Sequence, residues 1–443
     1  MSVTGAGAAG GVALRVPGDK SVGHRALIVG SLAPGAVRME GLPDAADVRS
    51  TARALRAVGV ELDWPAGSTT ASMVGPTTWR GGATIDAGNS GTTARLLVGL
   101  LAGLGLEATI DGDASLRRRP MDRVVYPLQA MGAKIEYRDE KERLPVRLAP
   151  RATGHLRVLR YRSRIASAQV KSALVLAALA AGVEFEMWEP ARSRDHTERL
   201  LRHLGVPIDF GPEGEGAHLA LPVRARDALR AEALAVPGDP SSAAFLLVAG
   251  ILAGRRVTVE DVLLNDTRTA YLETLEAFGA DVEIEPTGER LGEPVGRVTA
   301  GPGAEGLRGV TVGPAGMPAL VDEVPVLAIL AARAAGVTEI RGASELRLKE
   351  SDRLAALAAG LRALAVDVDE HPDGLTIYGG PDVAPRGDVA ARGDHRIAMA
   401  FGTLSLVPGA DVRVDDPSCV TVSYPGFWDD LARIEADAAR GGA

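Results

Sequence analysis

Val16-Pro17-Gly18-Asp19 returns as Val236-Pro237-Gly238-Asp239, 220 positions further along the chain. The same offset pairs Ser21 with Ser241, Leu27 with Leu247, Gly30 with Gly250, Glu40 with Glu260 and Gly59 with Gly279, and no gap is needed across the stretch. The chain therefore reads as two related halves. Each half divides again. An apolar helix of small residues, a turn and a short alternating strand are read at 24–41, 92–112 and 170–190, and again at 243–261, 322–342 and 395–416. Turn glycines Gly35, Gly105, Gly182, Gly254, Gly336 and Gly409 mark the six copies, 70 to 82 residues apart. After each strand comes a polar loop, an amphipathic helix and usually a glycine with another alternating strand. Gly59, Gly132, Gly205 and Gly279 hold that glycine place, Ala365 fills it in the fifth copy, and the sixth stops after its helix near Trp428 to Ala439.

Helices that are apolar on most faces are buried. Each domain should then be three repeated α/β units around central helices, with the sheets outside; one large sheet with helices on both faces is the alternative. Repeats bury a core by packing on their neighbours, which favours the first arrangement. At roughly 100–200 residues per domain, 443 residues suit two or three domains. Apolar residues at 46% and charged residues at 24% are ordinary for a soluble protein, and no apolar run approaches the roughly 20 residues that span a bilayer. The start, Met1 to Gly11, lacks the features of a secretory signal. A lone cysteine, Cys419, excludes a disulfide framework and a cysteine-rich metal site. A cytoplasmic location is expected. The net charge of −8 argues against a nucleic-acid partner, which calls for a basic face.

The conspicuous polar residues fall at helix starts. Lys20, Ser21 and Arg25 open the first helix; Asn89, Ser90, Gly91, Thr92 and Arg95 open another; Ser167, Ala168, Gln169 and Lys171 a third. Asp322-Glu323 and Asp394-His395-Arg396 open later ones, while second helices begin after Arg117 to Pro120, after Arg192 to His196, and at Lys349-Glu350-Ser351-Asp352-Arg353. Helix starts carry free N–H groups and the positive end of the dipole, and so bind anions. Arginine and lysine there add partners for phosphate and carboxylate. Taken singly, each residue has a plainer reading. Ser21, Asn89, Thr92 and Asp322 could be helix caps. Arg117 to Arg119 could be a solvated run, and Lys349 with Arg353 an exposed helix face. Jointly they suggest a positive cleft for small polyanions.

At this density the segments resemble one family. Val16 to Arg25, Gly88-Asn89-Ser90-Gly91-Thr92, Gly112 to Pro120, Ser167-Ala168-Gln169-Val170-Lys171-Ser172, Leu348 to Arg353 and Asp394-His395-Arg396-Ile397-Ala398-Met399 are similar to signature segments of 5-enolpyruvylshikimate-3-phosphate synthases, in the family's order and across nearly the whole chain. The resemblance implies a two-domain inside-out α/β barrel, each domain three βαβαββ repeats around buried helices. Residues 18–237 would form the domain mainly serving shikimate 3-phosphate. Residues 1–17 and 238–443 would form the other, which carries the acid/base carboxylates and is completed by the first strand, Gly11 to Arg15.

It implies a reaction as well. The 5-hydroxyl of shikimate 3-phosphate attacks C2 of phosphoenolpyruvate while C3 is protonated, and the tetrahedral ketal then loses phosphate to leave an enolpyruvyl ether on the route to aromatic amino acids. No cofactor or metal is called for, and a monomer is expected. By resemblance, Lys20 lies between both substrates and is a catalytic residue with Asp322 and Glu350. Ser21, Arg25, Ser167, Ala168, Gln169 and Lys349 serve shikimate 3-phosphate, and so does Arg194, in a segment that matches one branch of the family. Asn89, Gly91 and Arg119 serve phosphoenolpyruvate, with Arg353 and Arg396 as its clamp. Asp322 would be the general base for the hydroxyl and Glu350 the acid/base at C3. Val422 stands where some members have a lysine. Gly91 leaves room where insensitive members place alanine, so inhibition by glyphosate is expected. The enzyme rival is UDP-N-acetylglucosamine enolpyruvyl transferase, most of whose members carry a cysteine in the loop matching Leu116–Pro120, where this chain has arginines. RNA 3′-terminal phosphate cyclases share related repeats but need a basic face. A non-catalytic anion-binding homologue is the remaining alternative.

Overall fold

The computed structural model describes residues 11–150, 156–214, 216–382 and 384–441. Most of the Met1–Gly11 segment thus lies outside the described residues. The chain forms two compact units. One holds Pro17–Pro237 together with Glu289–Glu293; the other holds the described residues up to Val16, Gly238–Gly288 and the chain from Pro294 onward. The expected division at 17/18 and 237/238 differs from this by one residue at the first crossing and by the short 289–293 segment.

Within each unit the same sheet is built three times. At 83–148, Ala83–Asp86 runs parallel to Ala108–Asp111, which pairs antiparallel with Val146–Leu148, and that strand pairs antiparallel with Ile135–Tyr137. Five four-stranded sheets among the described residues share this order, and the sixth has only the parallel pair Arg386–Val389 and Asp411–Val414. Its truncation follows from the sixth copy ending after its helix, Phe427–Gly441. Small separate sheets exclude the alternative of one large sheet.

The two Val-Pro-Gly-Asp segments are where the chain changes unit. Val12–Arg15 precedes the first and pairs with Val257–Leu263; Ala233–Ala235 precedes the second and pairs with Ala36–Glu40. Each leading strand thus completes a sheet in one unit, and the helix after the motif belongs to the other. A Cβ on Gly18 would lie 1.9 Å from the Gly41 carbonyl oxygen, and one on Gly238 would lie 2.9 Å from that of Asp261. No larger residue fits either place, which explains the repeated glycine.

The first helix of each copy is buried nearly all round. Every residue of Pro240–Leu252 and of His395–Leu404 is buried, and only the opening residues of Lys20–Gly30 are not. The second helices bury one face: in Ala46–Ala57, Val48, Ala52 and Leu55 are buried while Arg53 and Arg56 face out. The six turn glycines all take positive φ, from +68° at Gly105 to +93° at Gly336, which reverses the chain between helix and strand. The place held by glycine in four copies is also left-handed in the fifth, where Ala365 has φ 60°.

Two buried helices touch backbone to backbone. A Cβ on Gly99 would lie 2.1 Å from the Ala173 carbonyl oxygen, and one on Gly103 would lie 2.4 Å from that of Ala177. The helices Gly91–Leu104 and Ala168–Ala181 can therefore approach this closely only because one of them carries glycine at both crossing points. Gly99→Ala should push them apart and cost on the order of 1–3 kcal/mol, the usual size of overpacking in a filled core. A urea midpoint equal to that of the unsubstituted protein would show that the approach is not this close.

Candidate active site

The Pro17–Pro237 unit gathers its candidate ligands at the starts of three buried helices. Lys20 is the first residue of Lys20–Gly30, and its Nζ lies 3.3 Å from Asp47 Oδ2. Ser21 is half-buried one residue further in. Arg25, one turn on, is buried and fully engaged. Its Nε donates to Thr197 Oγ1 at 2.7 Å, Nη1 to the Ser21 carbonyl at 2.9 Å and Nη2 to Ser172 Oγ at 2.8 Å. Burial lowers its pKa to about 10, against the pull of Glu198, and leaves it charged near neutrality. Arg194 is near enough to lower it further.

The second helix start carries a chain of contacts. Arg119 Nη2 donates to Asn89 Oδ1 at 2.6 Å, and Asn89 Nδ2 to Asp113 Oδ2 at 2.7 Å. Arg119 Nε is buried without a hydrogen-bond partner. A Cβ on Gly91 would lie 2.8 Å from Arg95 Nη1 and 3.5 Å from Arg119 Nη1, so the glycine sits against two guanidinium groups. Arg95 Nη1 donates to Gln169 Oε1 at 2.6 Å, and Gln169 Nε2 to Thr92 Oγ1 at 3.0 Å, which ties this start to the third. There Ser167 caps the helix Ala168–Ala181 and Ala168 is its first residue.

The caps are not those expected from sequence. Asp19 and Ser90 accept the capping bonds, from Val22 N and Thr93 N, while Ser21 and Thr92 lie inside their helices and Asn89 serves Arg119. Asp19, two residues before Ser21, and Ser90, between Asn89 and Thr92, satisfy the N–H groups and leave those side chains to other partners. The Arg117–Arg119 run also divides. Arg117 is an exposed partner of Asp111, whereas Arg119 turns inward to Asn89.

In the other unit, three segments far apart in sequence meet. Asp322 Oδ1 lies 3.8 Å from Lys349 Nζ and 4.0 Å from Arg353 Nη1, and the Asp322 carbonyl accepts from Arg396 Nη1 at 2.7 Å. Arg353 Nη2 donates to Glu350 Oε2 at 2.6 Å and its Nε to Asp394 Oδ2 at 2.8 Å. Burial opposes the charge on Arg353, but Glu350 and Asp394 outweigh it and raise its pKa. Asp394 is held below the usual carboxylate range by Arg353 in spite of its own burial. Asp394 also caps the helix that begins at His395, through Arg396 N. Asp322 makes no capping bond, since the helix Val324–Arg333 has no side-chain cap. The exposed-face reading of Lys349 and Arg353 fails: Lys349 precedes the helix Arg353–Ala363, and Arg353 is 1% exposed. Val422 ends a short 3₁₀ segment, Pro417–Val422. Cys419, in the same segment, has its thiol pushed up to about 11 by burial, unlike a reactive thiolate.

Sequence reading passed over the residues that hold these in place. His24 Nδ1 lies 2.7 Å from Thr51 Oγ1, Thr51 lies 2.8 Å from Thr93 Oγ1, and Thr93 donates to Ser90 Oγ. The line joins the first and second helix starts. Burial lowers the His24 pKa from 6.5 to about 4, so the ring is neutral at pH 7. A lowered folded-state pKa gives stability that is present above the unfolded value and lost as pH falls from about 6.5 towards 4. The loss at pH 5 should be about 2 kcal/mol from this group. His24→Gln should flatten the fall in unfolding midpoint between pH 7 and pH 5; an unchanged slope would mean that the ring is not buried and neutral.

Comparisons with known proteins agree with one another. A family profile for EPSP synthase (3-phosphoshikimate 1-carboxyvinyltransferase) matches residues 7–431. A relative from Thermus thermophilus, named 3-phosphoshikimate 1-carboxyvinyltransferase, is 50% identical over 425 residues, 95% of this chain and 96% of its own. One of the same name from Caulobacter vibrioides is 44% identical over 459 residues, 99% of this chain and all of its own. The solved EPSP synthase of Acinetobacter baumannii superposes with a TM-score of 0.82 at 35% identity, covering 95% of both chains. The enolpyruvyl transferase NikO of Streptomyces tendae, at 18% identity and a TM-score of 0.73 over 96% of this chain and 94% of its own, shares the fold. On the length of these matches, the chain belongs to the EPSP synthase (3-phosphoshikimate 1-carboxyvinyltransferase) family.

Proposed function

We propose that this chain transfers the enolpyruvyl group of phosphoenolpyruvate to the 5-hydroxyl of shikimate 3-phosphate and releases phosphate, in the cytoplasm and as a monomer. Among the described residues no helix is long and apolar enough to cross a membrane. The observation that carries the reading is the meeting of Asp322, Lys349-Glu350-Arg353 and Asp394-Arg396: three carboxylates beside three cations, assembled from separate segments.

In this reading Asp322 takes the hydroxyl proton as the oxygen attacks C2, and Glu350 gives a proton to C3. The ketal then returns the C3 proton to Glu350, the C2–O bond to phosphate breaks, the C2–C3 double bond re-forms, and the proton taken by Asp322 passes to the departing phosphate. Lys349 and Arg353 set positive charge beside the base, at 3.8 Å and 4.0 Å from Asp322 Oδ1. Arg353 and Arg396 grip the anionic groups of phosphoenolpyruvate, with Asn89, Gly91 and Arg119. Lys20 neutralises charge on both substrates. Ser21, Arg25, Ser167, Ala168, Gln169, Arg194 and Lys349 hold shikimate 3-phosphate. The buried Arg119 Nε supports its part, since an unpartnered donor gains most from an arriving anion.

Phosphate release with phosphoenolpyruvate should need shikimate 3-phosphate; release with UDP-N-acetylglucosamine instead would favour the rival, and silence with both would favour a binding-only homologue. Asp322→Asn and Glu350→Gln should each lower kcat roughly a hundredfold to ten-thousandfold. Arg119→Ala should cost about 1–3 kcal/mol, or roughly 5- to 150-fold in KM for phosphoenolpyruvate. An unchanged KM would return Arg119 to a structural role.

Glyphosate should inhibit in competition with phosphoenolpyruvate. Gly91→Ala should weaken that inhibition more than it weakens turnover, because the new methyl group fills the space beside Arg119 and presses on the Arg95 guanidinium group. Equal inhibition of both proteins would refute the placement of glyphosate against Gly91.

A further inference from the structure

Glu189 ends the strand Phe185–Glu189 with its side chain 2% exposed. A carboxylate buried that deeply is costly unless paired and hydrogen-bonded. Glu189 is both. Oε1 accepts from the Ser167 backbone N–H at 3.0 Å and from the Ser193 hydroxyl at 2.8 Å. Oε2 lies 2.9 Å from the same hydroxyl and 2.8 Å from Lys171 Nζ. Lys171 in turn lies 2.8 Å from Glu198 Oε1. Burial works against the Lys171 charge, but Glu198 and Glu189 together raise its pKa, and burial raises that of Glu198.

What Glu189 joins matters more than what it pairs with. Ser167 opens the helix Ala168–Ala181, and Ser193 adjoins Arg194. These are two separate loops, and both carry residues assigned above to shikimate 3-phosphate, whose phosphate is the group that a serine hydroxyl and an arginine fit. One carboxyl group bonds to the backbone of the first and the side chain of the second. We infer that Glu189 is a positioning residue: it fixes the Ser167 loop against the Ser193-Arg194 loop so that the two present one phosphate-binding face. Its role is selectivity for the phosphorylated ring, exercised through its neighbours. This rests on the reading of Ser167 and Arg194 as ligands of that phosphate.

The test is steady-state kinetics with each substrate varied in turn, with unphosphorylated shikimate as the poor acceptor. Glu189→Ala should raise KM for shikimate 3-phosphate tenfold or more, with kcat and KM for phosphoenolpyruvate within about threefold. Discrimination between shikimate 3-phosphate and shikimate should shrink by a similar factor. Glu189→Gln keeps an acceptor for both loops and leaves Lys171 its pair with Glu198, so it should restore most of the affinity. Ser193→Ala removes one tie without exposing a buried charge and should raise the same KM a few fold; with Glu189→Gln it decides the matter if Glu189→Ala does not fold. Equal rises in both KM values, or a fall in kcat alone, would overturn the inference and leave Glu189 as core structure. Ser167→Ala and Arg194→Ala are the controls. If they raise KM for shikimate 3-phosphate and the Glu189 and Ser193 variants do not, only the inference falls. If none of them does, the assignment of the phosphate falls with it.

Discussion

A helix enclosed by apolar neighbours has only its ends free for polar chemistry, and that constraint organises the whole molecule. The buried helices present mostly Leu, Val, Ala and Gly along their lengths, so charged side chains sit near their ends or, where they lie deeper, are tied to polar partners. The first turn is also where backbone N–H groups lack partners and where the dipole is positive. Burial therefore pushes the functional residues to the places best suited to anions. Arg25 and Lys171 lie a turn inside, and each is tied to partners on neighbouring segments, Thr197 and Ser172 for one and two carboxylates for the other.

Charge in this protein is handled in compact groups. Arg353 with Glu350 and Asp394, and Lys171 with Glu189 and Glu198, each set one buried cation between two carboxylates. In both, the central cation is raised in pKa and stays charged. The difference lies in what remains exposed. Glu350 is 29% exposed, whereas Glu189 and Glu198 are each at 2%. The same three-charge motif is thus open to solvent in one unit and enclosed in the other.

Much of this was legible in the sequence. Glycine at six turns and the doubled Val-Pro-Gly-Asp announced the repeats because each such glycine meets a backbone requirement that no other residue meets cheaply. The candidate site residues stood out together because their motifs are contiguous. What stayed hidden depends on contacts across the chain. Glu189 looked like an ordinary strand end, since Ser167 lies 22 residues before it and its role appears only when the sheet folds. Nothing local marks the partner of His196, whose Nδ1 lies 2.7 Å from Glu293, 97 positions away. Ser21, Asn89 and Thr92 looked like caps because cap preference is a statement about residue type, and capping by Asp19 and Ser90, one or two residues away, freed all three.

The pairing of Val12–Arg15 with Val257–Leu263 also has a bearing on how the chain comes off the ribosome. Nearly all of the Pro17–Pro237 unit is complete before residue 257 has been synthesised, apart from the few residues at 289–293. The leading strand must meanwhile wait as an unpaired edge, tethered to a domain that can already be folding behind it. Its alternation is short and ends in Arg15, a charge that makes a solitary strand a poor template for other chains. Order of synthesis, as much as final stability, favours a first strand this brief.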